Sequence, residues 1–330
     1  MHYPAPAWLP GGHLQTMVPA VAIRQPGPPM RRERWLAADG DFIDIDFVDG
    51  AADQPMVVLF HGLEGSSGSH YAKALMAAVA ARGWSGAVPH FRGCSGEANL
   101  APRFYHSGDA AEIDWILRKM HSRRASGSLL YAAGVSLGGN ALLRWLGEAQ
   151  GQADFVAAAC AVSAPLDLAQ GGAALSSGFN RIYTRMFLRT LKPKCLRKLE
   201  QFPGLFDRDA LLAAGDLYAF DNVVTAPLHG YKNTDDYWDR ASAKHVLHDS
   251  TVPTLVLNAR NDPFLPGRYL PTSASPHVTL EYTAQGGHVG FAVGAPPGRL
   301  DWLPQRILGF FDEVSGAPTK AAVCEADAHG

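Results

Sequence analysis

The segment Gly134-Val135-Ser136-Leu137-Gly138 constrains this chain more than any other, because of what flanks it. Leu129 to Gly134 is a short apolar run of the kind found in strands buried on both faces, and Leu137 to Glu148 reads as a helix. A serine at such a junction occupies a sharp, strained turn. Small neighbours at Gly134, Gly138 and Gly139 leave room for the bend and for close helix–sheet packing. The Ser136 hydroxyl is then lifted above the sheet. The bare five-residue pattern is common; the strand before it and the helix after it give it weight.

The rest of the chain repeats that alternation. Val57 to Phe60, Gly86 to Val88, Phe155 to Val162, Thr254 to Leu257 and Val278 to Tyr282 read as further strands. Helical spacing appears at Tyr71, Leu75 and Val79, over Asp109 to Met120, and over Asp301 to Glu313. Strands alternating with helices imply a mostly parallel sheet flanked by helices on both faces. Arg34 to Leu36 and Phe42 to Val48 read as a hairpin turning at Asp39-Gly40. The first thirty residues hold Pro4, Pro6, Pro10, Pro19, Pro26, Pro28 and Pro29, and read as an irregular arm.

One stretch breaks the pattern. Leu166 to Arg240 has helical runs at Phe179 to Leu191 and Asp209 to Ala214, many aromatics, and no convincing strand. It reads as a helical cap placed over the carboxyl edge of the sheet, roofing Ser136. The expected layout is a core of residues 1–165 and 241–314, a cap of 166–240, and a frayed tail of 315–330.

A serine needs a base, and the base needs an orienting acid. Asp262 lies 126 residues after Ser136, and His288 another 26 further on. Each follows a predicted strand, where a parallel sheet builds its site. Gly286, Gly287 and Gly290 free the His288 loop to reach back. Asp262 could instead be a turn former in Asn261-Asp262-Pro263, and Asp167 is the fallback acid. Two backbone donors are expected to face a developing oxyanion: the N–H groups of Leu137 and of Leu63, the latter beside Gly62.

Other chemistries lack support. The net charge is −2, with no basic stripe for a phosphate backbone, so nucleic acid is disfavoured. The loop Gly62 to Gly68 lacks the G-K-[ST] ending of a nucleotide loop. Four cysteines without C-x-x-C spacing make neither a disulfide framework nor a zinc ribbon. His13, His70, His90 and His106 show no metal-ligand spacing. Cys94 has no activating base, and Arg92 either orients loops or makes structural hydrogen bonds. No apolar run reaches the ~18 residues of a membrane span, and no leader is apparent. A cytoplasmic protein is therefore expected, with no integral membrane segment.

Seven ordered motifs now carry a resemblance. They are Gly12-His13-Leu14-Gln15-Thr16, His61-Gly62-Leu63-Glu64-Gly65, Phe91-Arg92-Gly93-Cys94-Ser95-Gly96 and Tyr105-His106-Ser107-Gly108. Next come Gly134-Val135-Ser136-Leu137-Gly138-Gly139-Asn140, Ala259-Arg260-Asn261-Asp262-Pro263-Phe264 and Gly286-Gly287-His288-Val289-Gly290. With them the chain resembles the YheT-like branch of the α/β-hydrolase superfamily. The resemblance implies an α/β-hydrolase fold, esterase-like activity, and Ser136, Asp262 and His288 as the catalytic triad. The reading is a serine hydrolase acting on short- to medium-chain acyl esters as small-molecule substrates, with no metal or organic cofactor. His61, Gly62, Phe187 and Phe264 are the candidate pocket residues. An acyltransferase or thioesterase on the same residues, and a silent binding module, are the alternatives.

Overall fold

The computed structural model describes residues 2–316. The apolar runs form the centre of an eight-stranded sheet. In chain order its strands are β1 (Arg31–Leu36), β2 (Phe42–Val48), β3 (Met56–Phe60), β4 (Ser85–Pro89), β5 (Leu130–Val135), β6 (Ala158–Val162), β7 (Thr254–Ala259) and β8 (Val278–Thr283). Across the sheet the order is β1-β2-β4-β3-β5-β6-β7-β8. β2 pairs antiparallel with both β1 and β4, and every other neighbouring pair is parallel. β5 thus lies between β3 and β6, so the loops after those strands flank the turn at its end.

The central strands are apolar throughout because both faces are covered. Val58 and Phe60 of β3, Ala132 of β5 and Val256 of β7 enter one core. Val57 and Leu59, Tyr131 and Ala133, and Leu255 and Leu257 enter the other. Each fully buried Val, Leu or Phe contributes about 1.5–3 kcal/mol, so a one-residue slip of any strand is heavily penalised. α3 (Ala110–Arg123) and α4 (Leu137–Ala149) close the first core. α2 (His70–Ala81) and α11 (Trp302–Ser315) close the second, where Tyr131 stacks on Phe311 with ring centroids 4.4 Å apart.

Several expectations need correction. The proline-rich arm contains a helix, α1 (Gly11–Val21). Pro10 precedes it, where no donor is needed, and the stretch up to Pro19 is free of proline, long enough for two turns. β2 is buried at every position, Asp44 and Asp46 included, because Arg34 and Arg32 of β1 each donate two hydrogen bonds to them. β6 begins at Ala158; Phe155 instead packs its ring edge-on against Trp145, at 5.8 Å. Arg92 is buried and pairs with Asp39, Asp41 and Glu112, tying the hairpin turn to α3. Ser315 belongs to α11, which ends at Gly316 in a left-handed conformation. The remainder of the proposed tail lies outside the described residues.

Between β6 and β7 the chain is helical: α5 (Leu168–Leu175), α6 (Arg181–Gln201), α7 (Arg208–Ala213), α8 (Leu217–Val223), α9 (Thr225–Leu228) and α10 (Thr234–Ala241). α6 runs ten residues beyond Leu191, through Pro193. Burial of Cys195 and Lys198 continues its inner face and overrides the proline.

Candidate active site

Ser136 stands between β5 and α4 with φ +53°, a left-handed conformation that costs a non-glycine residue about 1–3 kcal/mol. The packing around the turn enforces it. A Cβ on Gly134 would lie 2.5 Å from the Gly138 carbonyl oxygen, and one on Gly138 would lie 2.5 Å from the carbonyl oxygens of Phe60 and His61. Only glycine at both places lets α4 start this close to the sheet.

The structure brings three side chains into one hydrogen-bonded line. His288 Nε2 is 3.0 Å from Ser136 Oγ, and His288 Nδ1 is 2.9 Å from Asp262 Oδ2. Asp262 is 3% exposed, and its other oxygen accepts the Phe264 N–H at 2.7 Å. The Phe264 ring stacks on the imidazole with centroids 3.9 Å apart, covering it from solvent. Asp167 is occupied elsewhere: it caps α5 through the Gln170 N–H and pairs with Lys244 at 2.7 Å.

The loop after β3 is pinned on both sides of Leu63. Tyr71 Oη accepts the Gly62 N–H, and Tyr105 Oη accepts the Glu64 N–H, each at 2.8 Å. Tyr105 also donates to Glu64 Oε1 at 3.0 Å. Glu64 itself has φ +57°. Among the described residues, the N–H groups of Leu63 and Leu137 meet no protein acceptor. The clamp therefore spends the flanking donors and leaves the middle one free.

α1 holds the histidine loop. Thr16 Oγ1 accepts the His288 N–H at 2.9 Å and donates to the Gly12 carbonyl. Gln15 Oε1 accepts from Gly286 N–H and from Asn261 Nδ2, each at 2.9 Å, while Asn261 Oδ1 accepts the Gly287 N–H at 3.0 Å. Ser163 Oγ, after β6, accepts the Val289 N–H at 3.1 Å. Val289 is β-branched and still sits at φ +60°. Sequence reasoning assigned none of these positioning roles. The available signal was the unexplained motif Gly12 to Thr16, whose Gln15 and Thr16 are buried, Gln15 at 1% exposure.

A cavity of about 130 Å³ opens onto Ser136, Leu137 and His288. Its wall is mostly apolar and comes largely from the helices between β6 and β7, including Leu175, Phe187, Leu191, Leu217 and Phe220. Phe187 and Phe264 line it; His61 and Gly62 do not. His61 is turned away: Nδ1 donates to the Gly62 carbonyl, and Nε2 accepts the Phe91 N–H at 3.0 Å. Burial pushes its pKa down to about 3, so it is a neutral brace between two loops. Gly62 backs directly onto Ser136, where an added Cβ would lie 3.2 Å from the serine Cβ.

Polar side chains interrupt the apolar wall, Asp221 and Lys194 among them. Asp221 accepts from Thr225 Oγ1 at 2.6 Å and Trp238 Nε1 at 2.8 Å, and burial raises its carboxyl to about 6. Lys194 of α6 reaches Glu64 Oε1 at 2.7 Å, joining that helix to the Leu63 loop. Cys94 lies beside this pair, its thiol pushed up to about 12 by burial. Among the described residues no group of three or more His, Cys, Asp or Glu could hold a metal ion, and no helix is long and apolar enough to cross a membrane.

The fold agrees with the comparisons. A family model for the alpha/beta hydrolase fold matches residues 55–295. The Escherichia coli (strain K12) protein named "Putative esterase YheT" is 39% identical over 302 residues, covering 89% of this chain and 88% of its own. Human "Phospholipase ABHD3" is 30% identical over 321 residues, covering 94% of this chain and 78% of its own. Among solved structures, Est1E of Butyrivibrio proteoclasticus with bound ferulic acid superposes with a TM-score of 0.55 at 13% identity, covering 86% of this chain and 99% of that one. The chain belongs to the α/β-hydrolase superfamily, within its YheT-like branch.

Proposed function

We propose that this protein is a serine hydrolase that cleaves carboxylic esters through an acyl-Ser136 intermediate. The observation that carries the reading is the line Ser136 Oγ, His288 Nε2, His288 Nδ1, Asp262 Oδ2, at 3.0 and 2.9 Å, ending on an apolar cavity beside two free backbone donors. The names of the relatives, an esterase and a phospholipase, favour the same reaction class.

Ser136 Oγ attacks the acyl carbon while His288 Nε2 takes its proton. Asp262 accepts the Nδ1–H, fixing the tautomer and stabilising the imidazolium. The Leu63 and Leu137 N–H groups receive the oxyanion, worth roughly 3–4 kcal/mol per donor in comparable enzymes. The carbon–oxygen bond then breaks, and Nε2–H passes to the departing alkoxide. Water, deprotonated by His288, attacks the acyl-serine and releases the acid.

The helices between β6 and β7 act in this reading as a cap that holds the acyl chain. Their cavity, about 130 Å³, is close to the ~150 Å³ cavity known to take benzene, which favours short to medium chains. A fluorophosphonate probe should label the peptide containing Ser136; labelling of a different serine, or none, would overturn the assignment. With p-nitrophenyl esters, kcat/KM should rise about fourfold per methylene up to the medium range and then fall. Phe187→Ser should flatten that rise, whereas a lowered melting point with an unchanged profile would reduce Phe187 to a packing residue.

A further inference from the structure

α6 is two-faced. Phe187, Leu191, Lys194 and Cys195 line the cavity, and Tyr183 and Leu188 are buried beside them. The other side carries Arg181, Arg185 and Arg189, all exposed and four residues apart, so they form one stripe. Ile182 and Met186, 40% and 58% exposed, run alongside, and Phe179, 50% exposed, precedes them.

The stripe is unusual within this molecule. Most arginines outside the helical segment pair with a carboxylate, as Arg31, Arg32, Arg34, Arg82, Arg123 and Arg306 do, and those that do not among the described residues, Arg24, Arg124, Arg260 and Arg268, form no stripe of their own. Among the described residues Arg181, Arg185 and Arg189 make no ion pair. α6 holds seven basic residues and only Glu200 as an acid, in a chain whose net charge is −2. Unpaired cations interleaved with exposed aliphatic side chains are the composition of an interfacial helix. A nucleic-acid surface would use the cations and leave Ile182 and Met186 stranded in water.

We propose that the outer face of α6 docks the protein on an anionic lipid surface. The arginines meet the headgroups, while Phe179, Ile182 and Met186 enter the acyl boundary. Because the inner face of the same helix lines the cavity, docking brings that cavity to within about one helix diameter, ~10 Å, of the lipid. The docking does not depend on the chemistry assigned to Ser136.

The test is co-sedimentation of the full chain with phosphatidylcholine vesicles, with and without phosphatidylglycerol. Binding should require phosphatidylglycerol and weaken in high salt. Each arginine near such a surface is worth about fivefold, so the combined Arg181→Gln, Arg185→Gln, Arg189→Gln variant should bind roughly a hundredfold more weakly. Ile182→Ser with Met186→Ser should weaken binding to the same vesicles at any salt. Melting temperature checks the fold of each variant; if the triple variant does not fold, Arg185→Gln alone should still lose about fivefold. Ser136→Ala should bind vesicles like the wild type, so this result stands or falls apart from hydrolysis. Equal binding to neutral and anionic vesicles, an unaffected triple variant, or retention of duplex DNA in place of vesicles would each overturn the proposal.

Discussion

At the end of β5, the turn that carries Ser136 is shaped by its own neighbours in sequence: Gly134 and Gly138 permit the close approach, and the strand and helix on either side impose φ +53°. The loop that carries His288 is held instead from 272 positions away, by the hydroxyl of Thr16, with Gln15 and Asn261 bonding the glycines before it. The first arrangement is steric and local. The second is a set of directed hydrogen bonds between distant segments, each worth a kcal/mol or so and each expensive to leave unmade once buried. A local constraint leaves a short legible pattern, whereas a remote one leaves only scattered polar residues.

The largest expected effect lies at the local turn. Ser136→Ala should lower kcat on a p-nitrophenyl ester by about 10⁶ with little change in melting temperature. A variant retaining a tenth of the wild-type rate would mean that the strained turn serves something other than a nucleophile.

Next comes the acid. Asp262→Asn should cost about 10⁴ in kcat, because the amide favours the wrong imidazole tautomer. Asp167→Asn should leave the rate nearly unchanged and cost little stability, because an asparagine oxygen caps α5 about as well as the carboxylate does. If kinetics show the larger loss at Asp167, the acid belongs to the other strand.

The remote brace should show a smaller, distinctive signature. Thr16→Val removes the acceptor of the His288 N–H and should lower kcat by roughly 10- to 100-fold with KM nearly constant, as expected for a misplaced catalytic group. Thr16→Ser keeps the hydroxyl and should recover most of the rate. Equal losses in both would point to packing of the methyl group instead.

The smallest effect concerns the cavity wall. The Asp221 carboxyl is raised in the folded protein to about 6, above the ~3.9 of an unfolded chain. The folded state thus holds that proton more tightly, and the resulting stability is present in acid and lost as pH rises from about 4 through about 6. Asp221→Asn should match the wild type near pH 4 and exceed its stability by about 1–2 kcal/mol near pH 8, in denaturant melts at the two pH values. A wild type that gains on the variant as pH rises would reveal a cation paired with Asp221.

The legibility of the site followed the same division. Ser136 was marked by its flanks, and Asp262 and His288 by their places after strands; the structure puts the three within hydrogen-bond reach. Tyr71 was legible only as a helix position and Tyr105 only as part of a motif, and neither disclosed the clamp on Leu63, because a hydroxyl meeting a backbone N–H at 2.8 Å depends on where two separate segments dock. His61 adjoins the Leu63 loop in sequence, yet its ring is bonded to Gly62 and Phe91 and does not line the cavity, an orientation set by segments that meet only in the fold.

From its residues alone, this chain determined a mostly parallel sheet, the strained serine turn and a helical segment between two strands, because hydrophobic period and glycine sterics act over a few residues. Only the tertiary structure decided that the proline-rich start forms the helix bracing His288, and that α6 extends through Pro193. It also decided which of the long helix's faces looks into the cavity. Those outcomes depend on burial and on hydrogen bonds between segments far apart in the chain, and such energies exist only after the segments have met.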